Sequence, residues 1–354
     1  MASLADWWMN TSCPVAGLPS LRAVAILSAY VAFLIVAGAI LPGKVFPGTV
    51  LSDSTRLHYK CNGFRVLLLL LALLGYGVQS GHLSATIVAD LAGELFATTF
   101  AFTVLLSLAL YLAGLLSSNA KSSSLKPKFH GNFISDFIYG VQLNPSVFGI
   151  DLKFFCLRPA MMGWLLINLS IAAKQHDLLL KSPDHSHAIT LASLNLTSIL
   201  PASIASSSIA TLPIITVPMF LYQVFTAIYV LDYFWFEEYM TSTWDIIAEN
   251  FGFMLVFGDL IWIPFTFSVQ AWWLLAHGTA RDSIAASVSM PFAIVTVAVF
   301  VIGYAVFRGA NRQKHIFKHD PTAKIWGKTP GLLAADCWCL ATGALLAIAT
   351  TWEI

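Results

Sequence analysis

Long apolar runs separated by short polar stretches dominate the chain. Ala23–Pro42 is the first, closed by Lys44; Val66–Val88 follows, softened by Ser80 and His82; Leu95–Leu116 ends in the polar stretch Ser117–Lys128. Pro159–Ala173 is short, and Phe154 and Phe155 extend it. Ala188–Leu231 holds no charge over 44 residues. Within it Ile214–Val230 reads as a span, whereas Thr190–Thr211, rich in Ser, Thr and Ala, reads as a loop, an insertion or a weak helix. Phe251–Ala276 and Ser283–Phe307 complete the series. A bilayer core takes about 20 apolar residues in helical form, and lipid offers backbone groups no partners. The pattern therefore predicts an all-α, multi-pass transmembrane helical bundle of about 7–8 spans, seven from these runs and an eighth if 190–211 crosses.

Composition agrees. Hydrophobic residues make up 58% of the 354 and charged ones only 10%, against about 25% charged in soluble domains. A net charge of +1 leaves no electrostatic footprint for nucleic acid. Cys13, Cys61, Cys156, Cys337 and Cys339 lack framework spacing, and the single close pair, Cys337-Trp-Cys339, is a weak metal signal, so no metal is expected. Trp7 and Trp8 fit an interfacial aromatic anchor better than a cleavable signal peptide. The polar stretches Ser117–Lys153 and Arg308–Pro330 contain no glycine-rich phosphate motif, so a nucleotide would need a non-Rossmann site. Arg308, Arg312, Lys314, Lys318, Lys324 and Lys328 place that end on the cytoplasmic side, and Lys121, Lys126 and Lys128 suggest the same side for their loop.

Ionisable groups within apolar spans are costly and mark function. Asp90 and Glu94 stand one turn apart at the head of the third run, where an interfacial position is the plain explanation. Asp232, Glu237, Glu238 and Asp245 alternate with Tyr233, Phe234, Trp235 and Tyr239, without a Lys or Arg. That stretch is either a solvated interfacial loop or an acid-lined, aromatic-walled pocket for a bulky apolar ligand with a polar end. Asp259, between Gly258 and Pro264 inside Phe251–Ala276, must face protein or a cavity. On a helix, Asn311, Lys314 and Lys318 share one face at i, i+3, i+7, which suits a di- or triphosphate or a cytoplasmic charge anchor equally well.

Five stretches carry a further signal: DFIYGVQLNPSVFGIDLK (Asp136–Lys153), RPAMMGWLLINL (Arg158–Leu169), YVLDYFWFEEYMTSTWDI (Tyr229–Ile246), FGFMLVFGDLIWIPFTFSVQ (Phe251–Gln270) and FRGANRQKHIF (Phe307–Phe317). In this order they resemble the sterol reductase family, which includes Δ14- and Δ7-sterol reductases and the membrane domain of the lamin B receptor. FGFMLVFGDLIWIPFT is most similar to the Δ14 branch, the fungal Δ14-sterol reductases being the nearest match; AAKQ at Ala172–Gln175 and IWGK at Ile325–Lys328 also resemble Δ7 relatives.

The resemblance implies an endoplasmic reticulum enzyme that uses NADPH to reduce a ring double bond of a sterol intermediate, the C14–C15 bond of ergosterol-type biosynthesis by preference. It implies cofactor contacts at Asn311, Lys314 and Lys318, the last standing where the family usually has Arg. It implies a substrate pocket near Trp235, Glu237, Tyr239, Thr243, Asp245 and Asp259, with Glu237, Asp245 and Asp259 the candidate proton donors. Expected partners are the sterol and the bilayer; no protein partner is indicated.

The departures count as well. Gln142 replaces the acid, and Ser146 the arginine, of the family's G-x-E-L-N-P-R, and a glutamate usual between Cys156 and Leu157 is absent. Gly343–Ile354 resembles the opening of a block that the family continues into R-H-x-N-Y-x-G-D. The expectation is a single sterol-reductase-type domain over 1–354, lacking the family's C-terminal helices, with weak or absent activity. A Δ7 reductase and an inactive sterol-binding or interaction homologue are the alternatives, and an unrelated transporter a remote third.

Overall fold

A computed structural model describes residues 17–50, 56–116, 126–181, 188–190, 213–278, 287–320, 322 and 324. Trp7, Trp8, Cys13, 191–211, Ile325–Lys328, Cys337, Cys339 and Gly343–Ile354 lie outside them. The helices are α1 (Leu21–Ile40), α2 (Gly63–Gln79), α3 (Ile87–Asp90), α4 (Ala92–Leu116), α5 (Phe133–Tyr139), α6 (Leu152–Lys181), α7 (Val217–Trp235), α8 (Trp244–Ile247), α9 (Phe253–Phe257), α10 (Val269–His277) and α11 (Met290–His319). A 3₁₀ turn, Glu237–Ser242, follows α7, and a π-helical segment, Gly258–Thr266, joins α9 to α10. Three antiparallel two-stranded pieces complete the described chain: β1 (Lys44–Val50) with β2 (Arg56–Cys61), β3 (Ser146–Val147) with β4 (Ile150–Asp151), and β5 (Ala188–Thr190) with β6 (Pro213–Thr216). The chain divides into two compact units, Met1–Ser287 and Val288–Ile354, the second containing α11.

Six helical stretches are long and apolar enough to cross a membrane: α1, α4, α6, α7, the composite Phe253–His277, and Met290–Lys318. The 17-residue α2 is a shorter apolar helix, at the lower edge of what a bilayer core requires. These seven account for the predicted spans and confirm the all-α bundle. The sequence placed the second span at Val66–Val88, but α2 stops at Gln79 because Gly81 takes the left-handed conformation (φ 73°). His82 N–H and Leu83 N–H then bond back to the Gly77 carbonyl, 3.0 Å each, a glycine-terminated helix end. The span expected at Pro159–Ala173 is instead the 30-residue α6, whose start is capped by Asp151 Oδ1 accepting from Phe154 N–H at 2.9 Å. Candidate segment 190–211 is outside the described residues except for Thr190, which pairs with Pro213 across β5 and β6. The chain thus returns at β6 to the point where it left β5.

Helix α6 is the centre of the first unit. Met161, Met162, Trp164 and Leu165 pack with Leu34 and Ala37 of α1, Val66, Leu67 and Leu70 of α2, and Val230 and Phe234 of α7. Further along, Ile167 and Ile171 pack with Ala89, Ile215, Met219, Ala271 and Leu275. Because lipid is as apolar as these side chains, hydrogen bonds between helices add the specificity. Gln175 Oε1 accepts from Thr216 N–H (3.1 Å) and its Oγ1–H (3.3 Å), while its amide N–H donates to Leu274 O (3.3 Å). Ser170 accepts from Ala89 N–H (3.0 Å) and donates to Ala85 O (2.8 Å), and Tyr222 donates to Phe267 O (2.7 Å).

The end of α1 shows the same rule. Its last carbonyls would be orphaned, and residues 60–65 serve them. Asn62 Nδ2 donates to Gly38 O (2.9 Å) and Leu41 O (2.8 Å), Lys60 Nζ to Gly38 O (3.2 Å) and Ala39 O (2.8 Å), and Arg65 Nη1 to Pro42 O (2.8 Å). Lys60 and Asn62 therefore act as helix caps, and Arg65 ties down Pro42 just past the helix end.

Backbone meets backbone where the loop after α5 crosses the start of α9. Gly140 (φ 83°) and Gly252 touch, and a Cβ on Gly252 would lie 2.1 Å from Gly140 N. Phe251 N–H donates to Gln142 O (2.8 Å) and Asn250 Nδ2 to Gly140 O (3.2 Å), so neither strand of the contact can retreat freely. Gly252→Ala is expected to destabilise by about 1–3 kcal/mol, the range for overpacking, read as a lower apparent Tm of detergent-solubilised protein.

Candidate active site at the turn after α7

Between α7 and α9 the chain reverses through the 3₁₀ turn and α8, and this reversal holds most of the predicted site residues. Glu237 is buried and fully engaged. Its Oε2 accepts from Gly63 N–H, the first residue of α2, at 2.7 Å, and its Oε1 accepts from Arg158 Nε–H at 3.1 Å. Arg158, from α6, also donates through Nη2 to Lys60 O at 2.8 Å. Position 63 admits no side chain, since an added Cβ would lie 2.5 Å from the Phe234 ring and 2.7 Å from Glu237 Oε1. Burial pushes the Glu237 carboxyl above its ordinary range, and the Arg158 guanidinium and Gly63 amide pull it back. A carboxylate at a helix N-terminus with a buried arginine as second partner acts as a clamp.

A second polar cluster lies beside it. Lys153 is almost completely buried, and its ammonium donates to the carbonyls of Asp245 (2.6 Å), Ile246 (3.1 Å) and Glu249 (2.7 Å). Asn144 Nδ2 donates to Asp151 Oδ2 at 2.9 Å and stands 3.4 Å from the Tyr59 hydroxyl and 3.5 Å from Ile246 O. Burial raises the Asp151 carboxyl above its ordinary range, with the Phe154 N–H and the Asn144 amide offsetting part of it. Burial likewise raises the Tyr59 phenol, and the Asp151 charge adds to that. Tyr59 packs its ring 4.9 Å from Phe154, which fastens the β1–β2 hairpin to the site.

Asp259 differs from both groups. It is buried at the head of the π-helical segment Gly258–Thr266 and makes no hydrogen bond among the described residues. The fields of Asp245 and Lys153 reach it, and its own reaches Tyr233. The wider coil at Asp259 continues through Pro264, which has no N–H to give, and Ser268 Oγ–H satisfies the Pro264 carbonyl. π segments inside α-helices recur at functional sites.

The predicted residues thus divide. Glu237 and Asp259 are buried, Tyr239 and Thr243 half-buried, and Trp235 and Asp245 exposed. Thr243 Oγ1–H donates to Met240 O at 2.9 Å, and Trp235 sets its ring edge-on to Phe64 at 5.2 Å. Asp90 and Glu94 both have hydrogen-bond partners: Asp90 accepts from Thr86 Oγ1–H (2.6 Å) and pairs with Lys174 (2.9 Å), and Glu94 accepts from the Ser20 hydroxyl. In the second unit, Asn311 Nδ2 donates to Phe307 O at 3.1 Å, and Lys314 and Lys318 are exposed one turn apart near the end of α11. An amide keeps a second N–H and an acceptor oxygen, so the three side chains fit an oxyanion such as a nucleotide phosphate. The sequence pattern does not single out Lys153, Arg158, Asn144, Asp151 or Tyr59. Its apolar run began at Pro159, after the two cations; had it begun at Leu152, both would have stood out as charges within a span.

Removing Arg158 leaves a buried carboxylate without its counter-charge, a loss of about 3–5 kcal/mol. Arg158→Met is therefore expected to lower the apparent Tm more than Glu237→Gln, whose amide oxygen still accepts from Gly63 N–H. The double variant should lose less than the sum, measured as a double-mutant cycle on solubilised protein.

Three relatives bear on what such a site does. A protein named Delta(14)-sterol reductase from Arabidopsis thaliana is 50% identical over 329 residues, which are 92% of this chain and 78% of that protein. Mouse Delta(14)-sterol reductase TM7SF2 is 36% identical over 320 residues, 90% of this chain and 65% of its own. A Delta(14)-sterol reductase of Methylotuvimicrobium alcaliphilum is 34% identical over 314 residues, 88% of this chain and 62% of its own. The chain thus spans less than two thirds of the last two. The family described as Ergosterol biosynthesis ERG4/ERG24 matches residues 5–216 and 194–352. With those matches running through the α6 cations, the acidic turn and the π segment, the chain belongs to the Ergosterol biosynthesis ERG4/ERG24 family of sterol reductases.

Proposed function

We propose that the chain reduces the C14–C15 double bond of a sterol intermediate with NADPH, as a multi-pass protein of the endoplasmic reticulum membrane, and that Asp259 is the proton donor. The observation that carries the assignment of the donor is the contrast among three acids. Glu237 spends both oxygens as acceptors from Arg158 and Gly63, and Asp245 is exposed. Asp259 alone of the three is both buried and without a hydrogen bond among the described residues.

A carbon–carbon double bond with no carbonyl in conjugation does not accept hydride until it is protonated. The Asp259 O–H proton goes to C15, the π electrons form the new C–H bond, and the ring-fusion carbon C14 is left as a tertiary cation. NADPH, when bound, supplies the hydride that completes the second C–H bond. Asp259, left as a carboxylate, regains a proton from water between turnovers. Apolar walls keep water from the cation while it lasts; the neighbours of Asp259 on the π segment, Leu260 and Ile261, are buried apolar side chains suited to that task. Lys314 and Lys318 would hold the phosphate charge of that cofactor, and Asn311 would orient it.

Expression in a fungal strain lacking Δ14 reductase, with sterols analysed by mass spectrometry, tests the activity. Restored Δ14-reduced sterols are expected; persistence of Δ8,14 intermediates beside a folded protein would overturn the assignment, and reduction of a supplied Δ5,7-sterol in their place would move it to Δ7. In microsomes, Asp259→Asn should lower kcat by about 100-fold or more, the usual contribution of a general acid. Lys314→Ala should raise the KM for NADPH by about tenfold, the worth of one hydrogen bond to a charged group, with kcat largely kept.

A further inference from the structure

We propose that Lys153 is a positioning residue for the reaction, acting through the turn that it holds, an inference that rests on Asp259 being the acid. Lys153 is 2% exposed at the head of α6, a depth at which an ammonium persists only if its protons are taken. All three are taken by the backbone: Asp245 O at 2.6 Å, Ile246 O at 3.1 Å and Glu249 O at 2.7 Å. α8 spans only four residues, Trp244–Ile247, too short to hold its shape unaided. Its carbonyls and the turn after it converge on one cation, which serves as a helix C-cap brought from a different span.

The charges of four acids reach that cation: Asp151, Asp245, Glu249 and Asp259. Lys153 makes no direct ion pair with any of them among the described residues, because its donors are spent on carbonyls. A direct pair would hold an acid as a carboxylate; this arrangement leaves Asp259 unbonded beside a fixed positive charge. The turn leads straight into Phe251, whose N–H is held by Gln142 O at 2.8 Å, and from there into α9 and the π segment. Lys153 therefore sets where the stretch from 244 to 251 lies, and with it the start of the helix that carries Asp259.

The test compares full-length Lys153→Met and Lys153→Arg with wild type in detergent and in microsomes. Lys153→Met is expected to remain monodisperse and to lower kcat by about 100-fold, the cost of a misplacement near 1 Å. KM for sterol and for NADPH should stay within about threefold, the pattern of an interaction felt in the transition state. Amide deuterium uptake should rise over 244–251 and stay unchanged over α10. Lys153→Arg, which keeps the charge and N–H donors, should restore both the protection and at least a third of kcat. Wild-type kcat in Lys153→Met would overturn the proposal, and so would a loss of kcat with unchanged uptake over 244–251. Should Lys153→Met not fold, Lys153→Gln carries the same comparison, keeping two N–H donors without the charge. If the wild type reduces no sterol, the assigned function fails, while the deuterium uptake still reports whether Lys153 holds the turn.

Discussion

A guanidinium sunk among apolar helices must find its counter-charge in the protein, because neither lipid nor packed side chains can solvate it. Arg158 finds Glu237 at 3.1 Å, and that carboxylate also closes the N-terminus of α2 through Gly63 at 2.7 Å. One ion pair thus joins α6, the start of α2 and the turn after α7, while Arg158 Nη2 adds the end of β2 by way of Lys60 O. Once Glu237 is fixed, the 3₁₀ turn is fixed at its head; Lys153 holds α8 and the residues just after it. The bound pairs make this a stiff frame.

The backbone rule of the bilayer recurs at several scales. α1 ends with three hydrogen bonds from Lys60 and Asn62 to its Gly38 and Ala39 carbonyls, and two more from Asn62 and Arg65 to Leu41 and Pro42 just past its end. α8, only one turn long, borrows its cap from α6 through Lys153. Where the helix itself departs from regularity, at Gly258–Thr266, a serine hydroxyl serves the carbonyl of Pro264. Polar side chains in this protein mostly serve backbone that the apolar pattern would have left unsatisfied.

Much of this was legible in the sequence. Apolar run length marked where the six long apolar helices and the shorter α2 lie, because bilayer thickness sets it directly. Asp259 was legible as an acid that had to face protein, and Glu237 as part of an acidic stretch. What the residues alone could not separate was the role of each acid: Glu237, Asp245 and Asp259 look alike in a list, and their differences come from partners distant in the chain, Gly63, Arg158 and Lys153. Helix ends were misplaced where a single residue decided them, as with Gly81 at the end of α2 and Asp151 at the start of α6. The polar anchors of Asn144 and Tyr59 were invisible for a related reason. Their bonds join positions up to 102 residues apart, from Asn144 to the Ile246 carbonyl, and no local pattern records such a contact.

The pairing of β5 with β6 bears on how the chain can vary in length. Thr190 and Pro213 are strand neighbours, so the stretch between them is a closed detour with respect to α6 and α7. Closing a longer loop between two fixed points costs little, about 0.6 kcal/mol for each doubling of its length. A change of length between these two strands therefore costs the helices that bear the candidate site little.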